Sequence, residues 1–172
     1  MAETSISGHT EAYDDDREDP GEMLEMPLSQ VPRREPVMVA PDSSLNDVIA
    51  KLNDKACGCA LVVDGGALVG IFTERDVLTR IVSQSIDCDK TPVAELMTRN
   101  PDTLPDDASV AYALNRMSEE GYRHVPLLDD DGSPVGVVGM RDIIHWMAEL
   151  YPARVLNIPP APKSFPSTPE GA

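Results

Sequence analysis

The sequence has few aromatic residues and no long apolar run. Aromatic residues make up 4% of the 172 residues, so a folded core must be built mainly from aliphatic side chains. No apolar stretch approaches the roughly 20 residues that a membrane-spanning helix needs. The N-terminus is acidic and lacks the basic start and apolar core of a signal peptide. These absences predict a cytoplasmic protein without a membrane partner.

Positive charge is also scarce. The chain has 14 Lys and Arg against 30 Asp and Glu, and its formal net charge is −16. Because like charge repels phosphate and no basic patch compensates, the composition argues against a nucleic-acid partner. The stretch EAYDDDREDPGE contains almost nothing to bury, and the far end of the chain is rich in proline. We therefore predict a disordered acidic tail over residues 1–25 and a Pro-rich tail over residues 152–172.

Cysteine is limited to Cys57, Cys59 and Cys88. An odd count argues against a disulfide framework. The CGC stretch could indicate a metal or redox pair, but Cys59 falls at the start of a predicted strand and no second Cys or His pair has zinc spacing. The sequence also contains no recognisable nucleophile–base set. We therefore predict neither a metal site nor an enzymatic activity.

What the chain does contain is an internal repeat of about 65 residues. The segment that begins REPVMVAPDSSL matches the one that begins RNPDTLPDDASV. Leu45 aligns with Val110 at an offset of 65, and Gly70 aligns with Gly136 at an offset of 66, because one extra residue enters at the DDDG turn. This pattern predicts one repeat over residues 26–85 and a second over residues 86–151.

Each repeat carries the same predicted order of elements. A short extended piece precedes a Ser that opens an amphipathic helix, and two strands joined by an Asp/Gly turn follow. A second helix begins after Thr73 and again after Gly139. One such β-α-β-β-α unit buries too little surface to be more than marginally stable alone. We expect an α+β fold in which the two repeats pack sheet to sheet with pseudo-two-fold symmetry, flanked by the tails.

The turn into each closing helix keeps a Gly and an Asp. In the first repeat Thr73 and Asp76 have the spacing of a capping box, in which the Thr accepts a first-turn amide and the Asp reaches back to the cap. The same geometry suits a ligand, because a helix N-terminus offers free amides to a phosphate and a carboxylate can accept ribose hydroxyls. The spacing alone is compatible with both interpretations.

The tandem unit, carrying VVDGGALVGIFTERDVL and PLLDDDGSPVGVVGMRDII, resembles the CBS domain family, named after cystathionine β-synthase. Two such domains form a Bateman module, and the resemblance covers roughly residues 28–150. It implies a regulatory module that binds AMP, ADP, ATP or S-adenosylmethionine between its repeats and requires no cofactor. It also implies a homodimer, which the apolar faces of the closing helices would support, and a signal passed in trans to an unknown effector protein.

The resemblance further implies a first site, here called cleft A. In the family motif Gly-h-x-Thr/Ser-x-x-Asp, where h is a hydrophobic residue, the Asp binds ribose hydroxyls and the Thr or Ser contacts phosphate. In the regulatory subunit of AMP-activated kinase a His-Arg pair contacts phosphates. The aligned residues here, Arg123 and His124, occur in the reverse order. The residues expected in cleft A are Gly70, Ile71, Thr73, Asp76, Asp102, Tyr122, Arg123 and His124.

A second, weaker site is expected on the other side of the pseudo-two-fold axis and is called cleft B. Gly139 replaces the hydroxyl residue of the motif there, and the aligned positions supply no positive charge. The residues expected in cleft B are Val37, Gly58, Cys59, Gly136 and Asp142. Two alternatives to a nucleotide sensor stay open: a non-catalytic interaction or scaffold protein with purely structural clefts, and a sensor of S-adenosylmethionine.

Overall fold

The computed structural model describes residues 20–33, 35–82, 84 and 86–150. Its helices are α1 (Pro20–Glu25), α2 (Leu45–Lys55), α3 (Glu74–Asp76), α4 (Val93–Leu96), α5 (Val110–Glu120) and α6 (Met140–Leu150). Its strands are β1 (Val37–Val39), β2 (Cys59–Asp64), β3 (Ala67–Thr73), β4 (Thr98–Arg99), β5 (Leu104–Pro105), β6 (His124–Leu128) and β7 (Pro134–Gly139). A 3-10 turn (Leu28–Gln30) and a π-helical turn (Val77–Ile81) are also present. No helix in this part of the chain is long and apolar enough to cross a membrane.

The first helix of each repeat begins where the sequence predicts. Ser44 and Ser109 stand in extended conformation at the two N-caps, and each side chain accepts a hydrogen bond from the amide three residues later. Both helices end at a residue in the left-handed region, Ala56 in one repeat and Gly121 in the other. Equivalent caps at both ends give the two helices the same length of 11 residues.

The strands form two sheets, one for each repeat. Their orders are β1-β2-β3-β4 and β5-β6-β7. In each sheet the first strand runs parallel to the second, and the second and third strands form an antiparallel hairpin. The register shifts at equivalent points, between Val62 and Val63 in one hairpin and between Leu127 and Leu128 in the other. The shared irregularity shows that the repeats match in structure as well as in sequence.

The two sheets pack against each other through an apolar layer. Cys59, Leu61 and Ile71 of the first sheet are buried there, and Val137 of the second sheet packs against them. The pseudo-symmetry extends to single hydrogen bonds, since the amide of Glu74 donates to the carbonyl of Gly58 (3.1 Å) and the amide of Met140 to that of Arg123 (2.9 Å). The predicted α+β architecture of two repeats packed sheet to sheet is confirmed.

Each repeat has its core completed by the leading segment of the other repeat. Leu28, in the leading segment of the first repeat, is fully buried in the core of the second, and its amide donates to the Ala108 carbonyl (2.9 Å). Val93, in the leading segment of the second repeat, is fully buried in the core of the first, and its amide donates to the Ser43 carbonyl (2.8 Å). We call this arrangement the segment exchange. The sequence repeat alone did not reveal it.

The predicted acidic tail, residues 1–25, extends too far along the chain. Residues 20–25 form α1, and the side chain of Met23 is only 1% exposed, in the core of the second repeat. The prediction weighted the acidic composition and overlooked Met23, Leu24 and Met26, whose apolar side chains pack in or against that core. Residues 1–19 and the predicted Pro-rich tail, 152–172, lie outside the described residues.

Candidate functional site between the repeats

A cavity of about 290 Å³ lies between the two repeats, at the N-terminal end of α3. This volume is close to the lower end of the range of roughly 300–1,000 Å³ that ligand pockets occupy. One wall comes from the end of β3 and from α3, and the facing wall comes from residues 120–124. Seven of the eight residues predicted for cleft A line it: Ile71, Thr73, Asp76, Asp102, Tyr122, Arg123 and His124. We identify this cavity with cleft A.

Thr73 and Asp76 form a complete capping box at the start of α3. One carboxylate oxygen of Asp76, Oδ2, accepts hydrogen bonds from the Thr73 amide (2.8 Å) and the Thr73 hydroxyl (2.7 Å). The Thr73 hydroxyl in turn accepts one from the Asp76 amide (3.4 Å). Asp76 is 6% exposed, which is rare for a carboxylate and is sustained by these partners. The capping interpretation of the motif is therefore correct, and a ligand would have to use the other oxygen, Oδ1.

Gly70 is the one predicted residue that does not line cleft A. A Cβ atom there would overlap Met97 Sδ and would lie 2.9 Å from Met97 Cγ and 3.1 Å from the Thr98 carbonyl oxygen. Gly70 pairs with Arg99 of β4, in the leading segment of the second repeat. The glycine is required because this segment crosses β3 at close range. Packing alone explains it, without a ligand.

Two arginines of the first repeat line the cavity, and the sequence analysis missed both. Arg80 Nε lies 3.1 Å from Asp76 Oδ1, so the second carboxylate oxygen also has a partner. Arg75 donates from its guanidinium to the Gly121 carbonyl (3.1 Å), which joins the two walls directly. The four-residue spacing of Asp76 and Arg80 on one helical face could have indicated the first of these contacts.

The facing wall is organised around Asp102. The Tyr122 hydroxyl donates to Asp102 Oδ2 (2.8 Å), and the Arg116 guanidinium bonds the same oxygen. The Tyr122 hydrogen bond, reinforced by the one from Arg116, holds the pKa of the Asp102 carboxyl below its usual value. Burial, followed by the bond to Asp102, raises the pKa of Tyr122 to about 12. Asp102 therefore remains ionised and Tyr122 remains protonated at neutral pH.

His124 lies where the two repeats meet. A Cβ atom on Gly58 would be 3.1 Å from its Nε2, and one on Gly139 would be 3.3 Å from its Cδ2, so the imidazole fits between two glycines. Burial lowers the pKa of His124, the Asp142 charge raises it, and the Arg123 and Glu74 charges have smaller opposed effects. The net direction is downward, so the ring is neutral at physiological pH. Gly58, predicted for cleft B, in fact lines cleft A beside this ring.

Three residues predicted for cleft B have structural partners. Gly136 is covered by Arg33, whose Nε would lie 3.0 Å from an added Cβ. Asp142 Oδ2 accepts from the Gly139 amide (2.8 Å), so Asp142 caps α6 as Asp76 caps α3. Cys59 is 4% exposed between the sheets, and burial raises the pKa of its thiol to about 12. Each of the three contacts fits a role in packing or helix capping.

A second cavity of about 600 Å³ lies beside β1 and α2. Val37 is the only predicted cleft B residue that lines it. Lys51 and Lys55 of α2 line it as well, whereas the sequence alignment suggested no positive charge on this side. Lys55 stands where the second repeat has Glu120, so the two sides of the molecule differ in charge. In the described residues no group of three or more His, Cys, Asp or Glu is placed to hold a metal ion.

Both repeats match the same family of known domains. The CBS domain family matches residues 28–83 and 93–149. An uncharacterised protein of Methanopyrus kandleri is 28% identical over 124 residues, which are 72% of this chain and 63% of that protein. A CBS domain-containing protein of Arabidopsis thaliana, CBSCBSPB5, is 35% identical over 107 residues, which are 62% of this chain and 19% of that protein. The chain thus spans less than two thirds of either relative.

Solved structures agree with the sequence comparison. A CBS domain protein of Pyrobaculum aerophilum complexed with AMP has a TM-score of 0.64 and 27% identity, covering 72% of this chain and 99% of that one. The CBS domain pair of protein MJ0100, in complex with 5′-methylthioadenosine and S-adenosyl-L-methionine, also has a TM-score of 0.64 and 27% identity. That match covers 72% of this chain and 96% of the MJ0100 pair.

Proposed function

Because the chain belongs to the CBS domain family, we propose that it is a non-catalytic regulatory module that binds an adenosyl compound in cleft A. The observation that carries this proposal is the cavity itself, which unites Thr73 and Asp76 of one repeat with Arg123 and His124 of the other. A ligand that contacts both walls would bridge the two repeats. Binding would therefore stabilise one orientation of the repeats relative to each other.

Asp76 retains the capacity to hold a ribose. A carboxylate oxygen accepts about two hydrogen bonds. Oδ2 already accepts two from Thr73, whereas Oδ1 has the single described contact with Arg80. Oδ1 is therefore the atom to which a ribose hydroxyl would donate a hydrogen bond. Thr73, whose hydroxyl already donates to Asp76, would meet a ligand only as an acceptor or after breaking that bond.

The charges of cleft A favour an adenine nucleotide among adenosyl ligands. Arg75, Arg80 and Arg123 line the cavity, and guanidinium groups bind phosphate through paired N–H donors. Of the acidic residues that line the cavity, Asp102 is paired with Arg116 and Tyr122, and Glu120 is paired with Arg116. Asp76 is paired with Arg80, and Glu74 is the remaining carboxylate of the lining. AMP, ADP and ATP are thus preferred. S-Adenosylmethionine is the second candidate, because the MJ0100 domain pair was solved with that compound and 5′-methylthioadenosine.

Output to a partner would require a surface, and the closing helices offer one. Leu78 and Val82 are 67% and 71% exposed, and Ile144 of α6 is 56% exposed. Contiguous exposed apolar patches commonly mark interaction surfaces. We propose that these helices form a homodimer interface and that the ligand signal passes in trans to an effector protein.

Calorimetric titration with AMP, ADP, ATP and S-adenosylmethionine tests the proposed function. Binding of an adenine nucleotide in preference to S-adenosylmethionine supports it, and the reverse order supports the alternative sensor. If the folded protein binds none of the four compounds at millimolar concentration, the clefts are structural and the interaction or scaffold function takes precedence. A melting curve recorded on the same sample ensures that the titrated protein is folded.

A further inference from the structure

Arg80 lies at the point where the first repeat departs from a regular helix. After α3 the backbone passes into the π-helical turn Val77–Ile81, in which the Val82 amide donates to the Val77 carbonyl five residues earlier (3.0 Å). Single π-turns inside helices are frequent at functional sites. The equivalent helix of the second repeat, α6, is a regular α-helix over 11 residues.

The residue equivalent to Arg80 in the second repeat is Trp146. Trp146 is 6% exposed and belongs to the apolar core of its repeat. The fold can therefore close this helix with an apolar side chain packed inward. The fold therefore does not require Arg80 at this position of the first repeat. The difference between Arg80 and Trp146 sets cleft A apart from the equivalent position of the second repeat.

The guanidinium of Arg80 is held in a fixed orientation. Its Nε contacts Asp76 Oδ1 (3.1 Å), and its terminal nitrogens donate to the Leu96 carbonyl and the Thr98 hydroxyl (3.1 Å for the latter). A guanidinium has five N–H donors, so these three contacts leave two for a ligand. Its side chain is 38% exposed, so a molecule in the cavity can reach it.

These observations place a pre-oriented cation beside the carboxylate that would hold a ribose. We propose that Arg80 is a specificity-determining residue of cleft A, which selects adenosyl compounds bearing a 5′-phosphate over those that lack one. The inference rests on the proposed function, since it presumes an adenosyl ligand with its ribose at Asp76. The bond to Asp76 also makes Arg80 a positioning residue, so the test must separate the two effects.

Adenosine and AMP form the matched pair of probes, because they share the base and the ribose and differ only in the phosphate. For Arg80→Gln we expect AMP affinity to fall about 10- to 150-fold, the range for a lost hydrogen bond to a charged group, and adenosine affinity to change less than about 3-fold. Arg80→Lys keeps the charge but loses the paired donors, so AMP affinity should fall by a smaller factor. Arg141→Gln, an exposed change of the same charge outside the cavity, should bind both probes as the unmodified protein does.

Calorimetry on the full chain gives the affinities, and a melting curve of each variant shows that it is folded. If Arg80→Gln does not fold, Arg80→Lys carries the comparison. Equal losses of AMP and adenosine affinity would show that Arg80 acts only by orienting Asp76, and the inference would be overturned. Unchanged AMP affinity in Arg80→Gln would overturn it too, while leaving the proposed function intact. If the unmodified protein binds neither probe, the proposed function itself fails and this inference fails with it.

Discussion

At the scale of single residues, Asp76 and Asp142 offer a matched comparison. Both accept a hydrogen bond of 2.8 Å from the amide three residues earlier, so each caps its helix. Asp76 lines cleft A, whereas Asp142 does not. The two variants share the loss of this cap, but Asp76→Ala also loses the bonds to the Thr73 hydroxyl and to Arg80. A melting curve of each variant therefore accompanies the comparison of their ligand binding.

We expect Asp76→Ala to weaken AMP binding about 10- to 150-fold, because a charged acceptor of ribose hydroxyls is lost. Asp142→Ala should change AMP affinity much less. Asp142→Ala should lose about 1 kcal/mol of unfolding free energy with its cap, and Asp76→Ala should lose more, because the bonds to the Thr73 hydroxyl and Arg80 go as well. Calorimetric titration and melting curves give both quantities. A larger binding loss in Asp142→Ala would assign the site to cleft B instead.

The pKa of His124 makes a pH dependence testable in the ligand-free protein. Its folded-state pKa lies below the ordinary value of 6.5, so below pH 6.5 the unfolded chain takes up a proton more readily than the folded protein. The stabilising effect of the neutral ring is therefore complete above pH 6.5 and is lost as the pH falls from there toward the folded-state pKa.

We expect His124→Asn to flatten the fall in melting temperature between pH 7 and pH 5. His145→Asn provides the control, since His145 is exposed on α6 and its side chain contacts only Glu149 among the ion pairs described. The melting temperature of this control should follow that of the unmodified protein. Identical pH profiles for all three proteins would show that His124 does not contribute the predicted linkage.

The residues of cleft A were more predictable from sequence than those of cleft B. The motif around Asp76 and the facing stretch 122–124 are each short and continuous in sequence, and the resemblance to the CBS family implied that they share a cleft across the pseudo-two-fold axis. Cleft B was predicted by the same symmetry, which cannot show that Arg33 covers Gly136. Arg33 is fixed by Asp106, with 2.9 Å between Nη2 and Oδ2, and this contact between distant parts of the chain has no sequence signature.

At the scale of elements, periodicity predicted the long helices and the hairpins, and missed the short pieces. The strand predicted before the Asp/Gly turn of the second repeat is found as β6, because its apolar run is bounded by turn signals. α1, α4 and β4 have six, four and two residues, too few to show a period. They form because tertiary contacts stabilise them, which the order of residues does not display.

The segment exchange predicts that a change in α1 will destabilise the second repeat. Met23 is 1% exposed in that core, and removal of a buried Met side chain costs about 2–5 kcal/mol. We expect Met23→Ala to lower the unfolding free energy by this amount and to reduce amide hydrogen-exchange protection in α5 and β6. Met38→Ala, at a 45% exposed position, serves as the control. If the stability of Met23→Ala is unchanged, α1 does not contribute to the stability of this core.

At the scale of the whole molecule, the exposed apolar side chains of the closing helices predict an assembly. Leu78 and Val82 are spaced four residues apart and are more than 60% exposed. We expect the protein to be dimeric by light scattering at tens of micromolar, and the double variant Leu78→Glu, Val82→Glu to be monomeric, because charges at a buried contact are costly.

Tyr112→Glu is the control for that experiment, because Tyr112 is 53% exposed on a different helix, α5. This variant should keep the mass of the unmodified protein. A monomeric unmodified protein would contradict the dimer outright. A double variant that remains dimeric would place the interface elsewhere on the surface.

The segment exchange also determines whether the chain can be divided into two folded fragments. A fragment cut after residue 85 would leave the first repeat without Val93, which fills its core, and without β4. A chain that carried one repeat alone would have to obtain the missing segment from another copy. Linkage of the two repeats in one chain keeps each segment and the core that it completes at a high effective concentration. Neither half alone contains all the residues that complete its core.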